Sequence, residues 1–76
     1  MQTVEIDFHY YLVEDAVRVT ESIINCARLH DEHVECRFIT GKGKIQKELM
    51  ALLHDTYELA PVVPMSNGGM ILVEIY

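Results

Sequence analysis

Apolar and polar residues alternate along parts of the chain, and a period of two residues predicts β-strands. The stretch from Thr3 to His9 alternates in this way and predicts a first strand with one buried face. Residues 34–39 (VECRFI) predict a second strand by the same pattern, and the apolar run 70–76 (MILVEIY) predicts another. The apolar segment 59–65 (LAPVVPM) contains two prolines, which favours a short or interrupted strand at the edge of a sheet.

Two other segments show the spacing of a helix with one apolar face. The first runs from Leu12 to about Leu29, and the second runs from about Lys44 to Tyr57. The order of elements is therefore β-α-β-α-β-β, within one domain that spans residues 1–76. This order predicts an α/β fold, a two-layer sandwich in which a mixed four-stranded sheet carries two helices on one face.

The helical connection between the first two strands determines where their ends lie. Strands joined by such a crossover run parallel, so their C-terminal ends meet at one edge of the sheet, which we call the rim. Asp7 and His9 lie near the end of the first strand, and residues 40–43 (TGKG) directly follow the second. Open α/β sheets bind ligands outside the carboxyl ends of their parallel strands. We therefore expect these two segments to form one ligand-binding site.

Charge and cysteine content narrow the possible partners. The 76 residues carry a net charge of −6, which argues against a broad basic surface that coats nucleic acid. Any contact with phosphate must be local. No apolar run approaches the ~20 residues that span a bilayer, and the N-terminus lacks the basic start of a signal peptide, so we expect a cytoplasmic protein without a membrane partner. In that compartment Cys26 and Cys36 are expected to be free thiols.

Asp7 and His9 are two positions apart, which on a strand places both side chains on the face opposite Phe8. A carboxylate beside an imidazole can orient it for proton transfer near neutral pH, and the same pair can hold a divalent cation. This pair suits the cleavage of a phosphodiester. The alternative is that both residues belong to the solvated face of a half-exposed strand.

The segment 40–43, with sequence Thr40-Gly41-Lys42-Gly43, precedes the second helix. Glycines allow backbone amides to approach an anion, and a helix N-terminus adds partial positive charge. Lys44 and Lys47 add mobile cations, so we expect this region to bind phosphate. It is not a nucleotide P-loop, because Phe38 stands where the first glycine is required and Ile45 replaces the magnesium-binding hydroxyl. The alternative is an ordinary turn with solvated lysines.

The order of elements and these motifs resemble the Smr domain, a family named for small MutS-related proteins, over residues 4 to 76. The first family motif is usually written LDxHG, and residues 6–9 (IDFH) match it with isoleucine for leucine. The second motif, TGxG, is matched by residues 40–43 without change, and residues 67–69 (NGG) precede the last strand. Tyr10 replaces the glycine that usually follows the histidine, which puts a large ring where it blocks a substrate or stacks on a base.

The resemblance implies a fold similar to the C-terminal domain of bacterial translation initiation factor three. It also implies binding of nucleic acid, DNA or RNA, often with DNA-nicking or endoribonuclease activity, and in some members association with ribosomes or repair proteins. Carried over residue by residue, it makes Asp7 and His9 the catalytic pair of an endonuclease. Thr40 to Gly43, together with Lys44, Lys47 and Tyr10, then form the nucleic-acid-binding residues. A requirement for Mg²⁺ or Mn²⁺ stays open.

Two further functions stay open. The first is a non-catalytic module that binds nucleic acid, a ribosome or a protein. Tyr10 favours this alternative, and so does Glu5, which repels phosphate from the face that it shares with Asp7. The second is a protein-interaction domain whose final strand extends the sheet of another chain.

Overall fold

The computed structural model describes residues 2–76 and contains one mixed sheet. Its strands are β1 (Gln2–Asp7), β2 (Val34–Ile39) and β3 (Met70–Ile75), in the spatial order β1-β2-β3. β1 runs parallel to β2, and β2 runs antiparallel to β3. The ends of β1 and β2 therefore meet at the rim, as the helical crossover predicted, and β3 begins there because it runs in the opposite direction.

Two helices connect the strands. α1 (Val13–Leu29) lies within one residue of its predicted bounds. α2 (Lys44–Ala51) begins where predicted, but the chain then widens into a π-helical segment, Leu52–Thr56. The wider turn is seen in the bond from the Tyr57 amide to the Leu52 carbonyl, 3.2 Å long, which spans five residues instead of four. None of the helices among residues 2–76 is long and apolar enough to cross a membrane.

The alternating pattern of the strands buries one face of the sheet beneath both helices. The rings of Phe8 and Phe38 lie 5.3 Å apart at the centre of this core. Both helices and the strands contribute to a single cluster, since its buried members include Phe8, Ala16, Ile24, Val34, Cys36, Phe38, Leu49, Leu53, Ile71, Val73 and Ile75. Each large apolar side chain buried in this way contributes about 1.5–3 kcal/mol. The opposite face of the sheet is open, so the fold has two layers.

The predicted strand at residues 59–65 is reduced to a single bridge. Val62 pairs with Leu72 of β3 through two backbone hydrogen bonds, each 2.8 Å long. Pro61 and Pro64 stand on either side, and a proline has no N–H with which to continue a ladder. The sheet of residues 2–76 consequently has three strands, and the expectation of four was wrong.

The first strand also ends earlier than predicted. β1 stops at Asp7, after which Phe8 makes one more bond to β2 through its amide and the Ile39 carbonyl, 2.8 Å. The Tyr11 amide then donates to the Phe8 carbonyl at 3.0 Å, which turns the chain. His9 lies in this turn, so the expectation that it shares a strand face with Asp7 was wrong.

The two cysteines differ in environment. Cys26 is exposed on α1 and Cys36 is buried in β2, and both are free thiols as predicted. Burial, aided by the negative charge of Glu35, raises the pKa of the Cys36 thiol to about 11. Cys36 therefore stays protonated near neutral pH and behaves as a small apolar core residue.

Candidate functional site

Three connections meet at the rim: residues 8–12 after β1, residues 40–43 after β2, and residues 66–69 before β3. The connection after β2 and the connection before β3 are joined through one backbone carbonyl oxygen, that of Gly69. The Gly69 carbonyl accepts hydrogen bonds from the amides of Thr40 and Gly41, at 2.8 and 3.0 Å. The turn before β3 thus holds the glycine-containing loop in place.

Thr40 points into this loop instead of toward solvent. Its side chain is part of a residue that is only 6% exposed, and its hydroxyl donates to the Gly41 carbonyl at 2.8 Å. The Gly69 carbonyl lies slightly farther from the same hydroxyl, at 3.3 Å. Thr40 was predicted to contact nucleic acid, but its hydroxyl and amide are engaged in supporting the loop. The Gly41 amide is engaged in the same way, so neither amide is free to bind an anion.

Gly41 and Gly69 lie where larger residues would disturb this arrangement. Gly41 has a φ of +71°, a left-handed conformation that side chains other than glycine adopt at a cost. A Cβ atom on Gly69 would lie 3.4 Å from the Gly41 Cα atom, closer than most such contacts. Close approach of the two backbones is what allows the Gly69 carbonyl to reach both amides.

Two residues that gave no sign of a role in the sequence support the same turn. The Gln46 side chain on α2 donates through Nε2 to the Gly68 carbonyl at 2.7 Å. Asn67 accepts the Gly69 amide through Oδ1 at 3.0 Å. The NGG sequence indicated a turn before the last strand, but no pattern indicated that this turn braces the loop at residues 40–43.

The lysines form a local positive surface beside the loop. All three lysines of the chain, Lys42, Lys44 and Lys47, fall within six positions and are exposed. None of them forms an ion pair with a carboxylate of residues 2–76. The aliphatic part of Lys42 extends over Gly68, where a Cβ atom would lie 3.0 Å from Lys42 Cε. Its ammonium group lies close to the turn before β3.

The N-terminus of α2 adds to this positive surface. Gly43 occupies the N-cap position, and no side chain of the described residues caps the helix. The first turn contains no acidic residue that would offset the positive end of the helix dipole. The amides at this end of α2, unlike those of Thr40 and Gly41, are therefore suited to bind an anion.

Asp7, His9 and Tyr10 lie together where β1 ends, in an arrangement different from the one expected. Oδ1 of Asp7 accepts the backbone amide of His9 at 2.9 Å. The imidazole of His9 stacks on the Tyr10 ring, with the centroids 4.5 Å apart and the planes 17° from parallel. The Asp7 carboxylate therefore supports the backbone of the turn, and the imidazole lies against the Tyr10 ring instead of the carboxylate.

Tyr11 explains why Tyr10 faces solvent. The Tyr11 ring meets the buried ring of Phe8 edge to face, at 5.0 Å between centroids. Since Tyr11 anchors the turn, the preceding side chain is directed outward, and Tyr10 is 93% exposed. The His9–Tyr10 pair is thus an exposed aromatic surface at the rim.

The possible metal-binding side chains of the described residues are dispersed and form no cluster. Among residues 2–76 no group of three or more histidine, cysteine, aspartate or glutamate side chains is placed to hold a metal ion. Asp7 and His9 offer two ligands at most, so a Mg²⁺ or Mn²⁺ ion there would take its other ligands from water or from a bound phosphate.

Comparisons with known proteins gave no match: no family model, no curated protein and no solved structure matches this chain. The resemblance to the Smr family therefore rests on the two sequence motifs and on the order of the elements. Function must be inferred from the side chains at the rim, because a fold alone does not determine it.

Proposed function

We propose that this chain is an Smr-like domain that binds nucleic acid at the rim. One observation carries the proposal: all three lysines of an acidic chain lie in or beside the loop at residues 40–43, which the Gly69 carbonyl holds in place. The uncapped end of α2 and the exposed His9–Tyr10 pair lie on the same rim. The similarity to the C-terminal domain of translation initiation factor three is part of this proposal, as are ribosomal or repair partners.

We assign phosphate binding to the N-terminus of α2 and the lysines around it. Lys42 and Lys44 neutralise the phosphate, the first amides of α2 donate hydrogen bonds, and Lys47 lies one helical turn further along. Gly41 and Gly43 keep the approach to these amides free of side chains, since no atom lies within 4 Å of a Cβ built on either residue. Thr40 contributes indirectly because it stabilises the loop.

The aromatic pair is assigned to an unpaired base. Tyr10 is almost fully exposed beside the His9 ring, so a base can stack on its free surface and extend the pair. Stacking of a base on an aromatic side chain contributes about 1–3 kcal/mol and tolerates any base. Glu5 and Asp7 repel the phosphate backbone from the open face of the sheet. The bound nucleic acid is therefore confined to the loops of the rim.

Binding is tested with fluorescently labelled single-stranded RNA, single-stranded DNA and duplex DNA, by anisotropy over a range of salt concentrations. Because few phosphates are contacted, we expect the logarithm of affinity to fall with the logarithm of salt concentration with a slope of about −1 to −2. Lys42→Ala is expected to weaken binding several-fold. Arg28→Gln is the matched control, since it removes an exposed cation at the C-terminal end of α1, away from the rim, and keeps a side-chain donor near the Tyr57 carbonyl. Affinity that is independent of salt, or equal losses in both variants, would contradict the proposal.

A second candidate function is endonuclease activity, and the exposed imidazole of His9 favours it. His9 makes no side-chain hydrogen bond with residues 2–76, so its ring nitrogens are free to accept or donate a proton at a bound phosphodiester. Asp7 acts as a positioning residue, since it holds the His9 backbone and not the ring. The reaction is hydrolysis of the phosphodiester by water or transfer to the neighbouring 2′-hydroxyl of RNA: the new P–O bond forms as the P–O bond to the leaving oxygen breaks, and His9 takes a proton from the nucleophile or gives one to the leaving oxygen.

Cleavage is tested on the same labelled substrates with Mg²⁺, Mn²⁺ or a chelator, using wild type, His9→Ala and Asp7→Asn. We expect His9→Ala to abolish cleavage. Cleavage that survives this change removes His9 from the mechanism, whereas wild-type binding without cleavage supports the non-catalytic module. Binding is measured in parallel for each variant, so a loss of affinity is not mistaken for a loss of chemistry.

A further inference from the structure

The outer edge of β1 is open. β1 is the terminal strand of the sheet, and its inner edge is bonded to β2 from the Gln2 amide to the Phe8 amide. Because backbone groups alternate in direction along a strand, the N–H and C=O groups of Thr3, Glu5 and Asp7 point away from β2. No strand of residues 2–76 pairs with them. Three outward N–H and C=O pairs are therefore available to another strand.

An apolar cleft runs beside this edge. It lies between β1 and α1, has a volume of about 320 Å³, and is lined in part by Val4, Ile23 and Ala27. Val4 is only half-buried although it belongs to the core face of the sheet. A strand added to β1 would direct every second side chain to the same side as Val4, and apolar residues at those positions would extend the core.

The other side of the same edge is acidic. Glu5 and Asp7 are exposed on the open face, and Glu5 forms no ion pair with any described residue. Arg37 stands opposite Glu5 in the sheet, but its guanidinium pairs with Glu35 at 3.5 Å. An added strand would therefore be favoured if its side chains opposite Glu5 were basic.

The β1 strand of a second copy does not meet these requirements, because residues 2–7 contain no basic residue that could face Glu5 in any register. An antiparallel pair of β1 strands centred on Glu5 would place the two Glu5 carboxylates opposite each other. A pair centred on Ile6 would place Glu5 opposite Asp7. Like charges in directly opposed positions destabilise a sheet, and each chain carries a net charge of −6. The charges favour a different and basic partner.

We propose that the outer edge of β1 binds an extended segment of a partner protein as an additional strand. Basic residues of this segment alternate with apolar ones: the basic residues face Glu5 and Asp7, and the apolar residues enter the cleft beside Val4. Backbone hydrogen bonds supply part of the affinity, and the alternation supplies specificity. This site shares only Asp7 with the rim, because it uses the length of β1, whereas the rim is formed where β1 ends.

The probe is an eight-residue peptide, blocked at both termini, in which lysine and valine alternate. Amide hydrogen exchange is followed by NMR on the intact protein with and without the peptide. We expect exchange at Thr3, Glu5 and Asp7 to slow at least tenfold, whereas Val4 and Ile6, already bonded to β2, stay unchanged. This alternation distinguishes strand pairing from a general gain in stability, which would slow exchange along the whole strand.

Two controls separate pairing from simple charge attraction. The same peptide methylated at alternate backbone nitrogens keeps its charge but cannot pair, and it should lose binding. Glu5→Lys should weaken binding at least fivefold, whereas Glu48→Lys makes the same change of charge on the exposed side of α2 and should have little effect. Equal losses in the two variants would overturn the proposal. Absence of alternating protection would also overturn it, and Glu5 and Asp7 would then serve only to prevent edge pairing.

Discussion

Asp7 and His9 are joined through the backbone: Oδ1 of Asp7 accepts the His9 amide at 2.9 Å. The bond closes the turn directly after β1 and leaves the imidazole to stack on Tyr10. The spacing of two residues suits this short-range turn as well as it suits a catalytic pair. A contribution of Asp7 to chemistry would therefore act through the position of His9.

Asp7→Ala is expected to destabilise the fold by about 0.5–1.5 kcal/mol, because the His9 amide loses its acceptor. Asp7→Asn should cost less, since an amide oxygen can accept the same bond. The free energy of unfolding of the three proteins is measured with urea at neutral pH. Equal losses in the two variants would show that the hydrogen bond does not determine the effect.

Thr40→Val is expected to cost about 1–2 kcal/mol, because the Gly41 carbonyl loses its buried hydroxyl donor without a change in side-chain volume. Thr40→Ser keeps the hydroxyl and should retain the hydrogen bond. Urea unfolding gives the stability, and the NMR shifts of Gly41 and Gly69 report the state of the loop. A serine variant with loop shifts like those of the valine variant would be inconsistent with this role.

Gly41→Ala is expected to destabilise the protein by about 1–2 kcal/mol because of the left-handed φ at this position. Gly41→Asn is the matched control, since asparagine tolerates the left-handed region better than alanine and a Cβ atom at this position would meet nothing within 4 Å. It should destabilise the protein less than Gly41→Ala does. Thermal unfolding of the two variants side by side provides the comparison, and similar shifts would contradict the assignment of strain to Gly41.

Stability is expected to fall at alkaline pH through Cys36. Burial, followed by the charge of Glu35, raises the pKa of this thiol from 9.0 to about 11 in the folded protein. The folded state thus binds the thiol proton more tightly than the unfolded state does. The resulting contribution to stability is complete below about pH 9 and is lost as the pH rises toward 11.

Urea unfolding between pH 8 and 11 checks this expectation, with Cys36→Ala as the reference. Tyrosines and lysines also titrate in this range, but they do so in both proteins. The free energy of unfolding should therefore decline more steeply in wild type than in the variant. Parallel declines would show that the Cys36 thiol is not responsible.

The local elements were largely predictable from the chain. VECRFI alternates from Val34 to Phe38 and forms β2 at the predicted residues, and α1 follows its apolar spacing to within one residue. The prediction failed at residues 59–65, where apolar character favoured a strand but the two prolines permit only the bridge at Val62. It also failed at His9, because alternation continues through Phe8 although the strand has already ended.

The position of the rim was predictable from the sequence, but the contacts among its residues were not. A helical crossover makes β1 and β2 parallel, so the meeting of their ends follows from the order of elements alone. The roles within the rim depend on residues distant in the chain: Gly69 engages Thr40 and Gly41, and Gln46 engages Gly68. Such contacts have no sequence period, so no pattern in the chain could indicate them.

The sequence by itself determined the three paired strands, the two helices, the buried face of the sheet and the clustering of the lysines, because each depends on near neighbours in the chain. Only the tertiary structure decided which amides of the TGKG loop remain free, and which partner the imidazole of His9 has. The physical reason is that hydrogen bonds and ring stacking are short-ranged and directional. Their partners depend on the packing of the molecule: Gly69 reaches Thr40 and Gly41 across the fold, and the packing of Tyr11 on Phe8 holds the turn in which Asp7 meets the His9 amide.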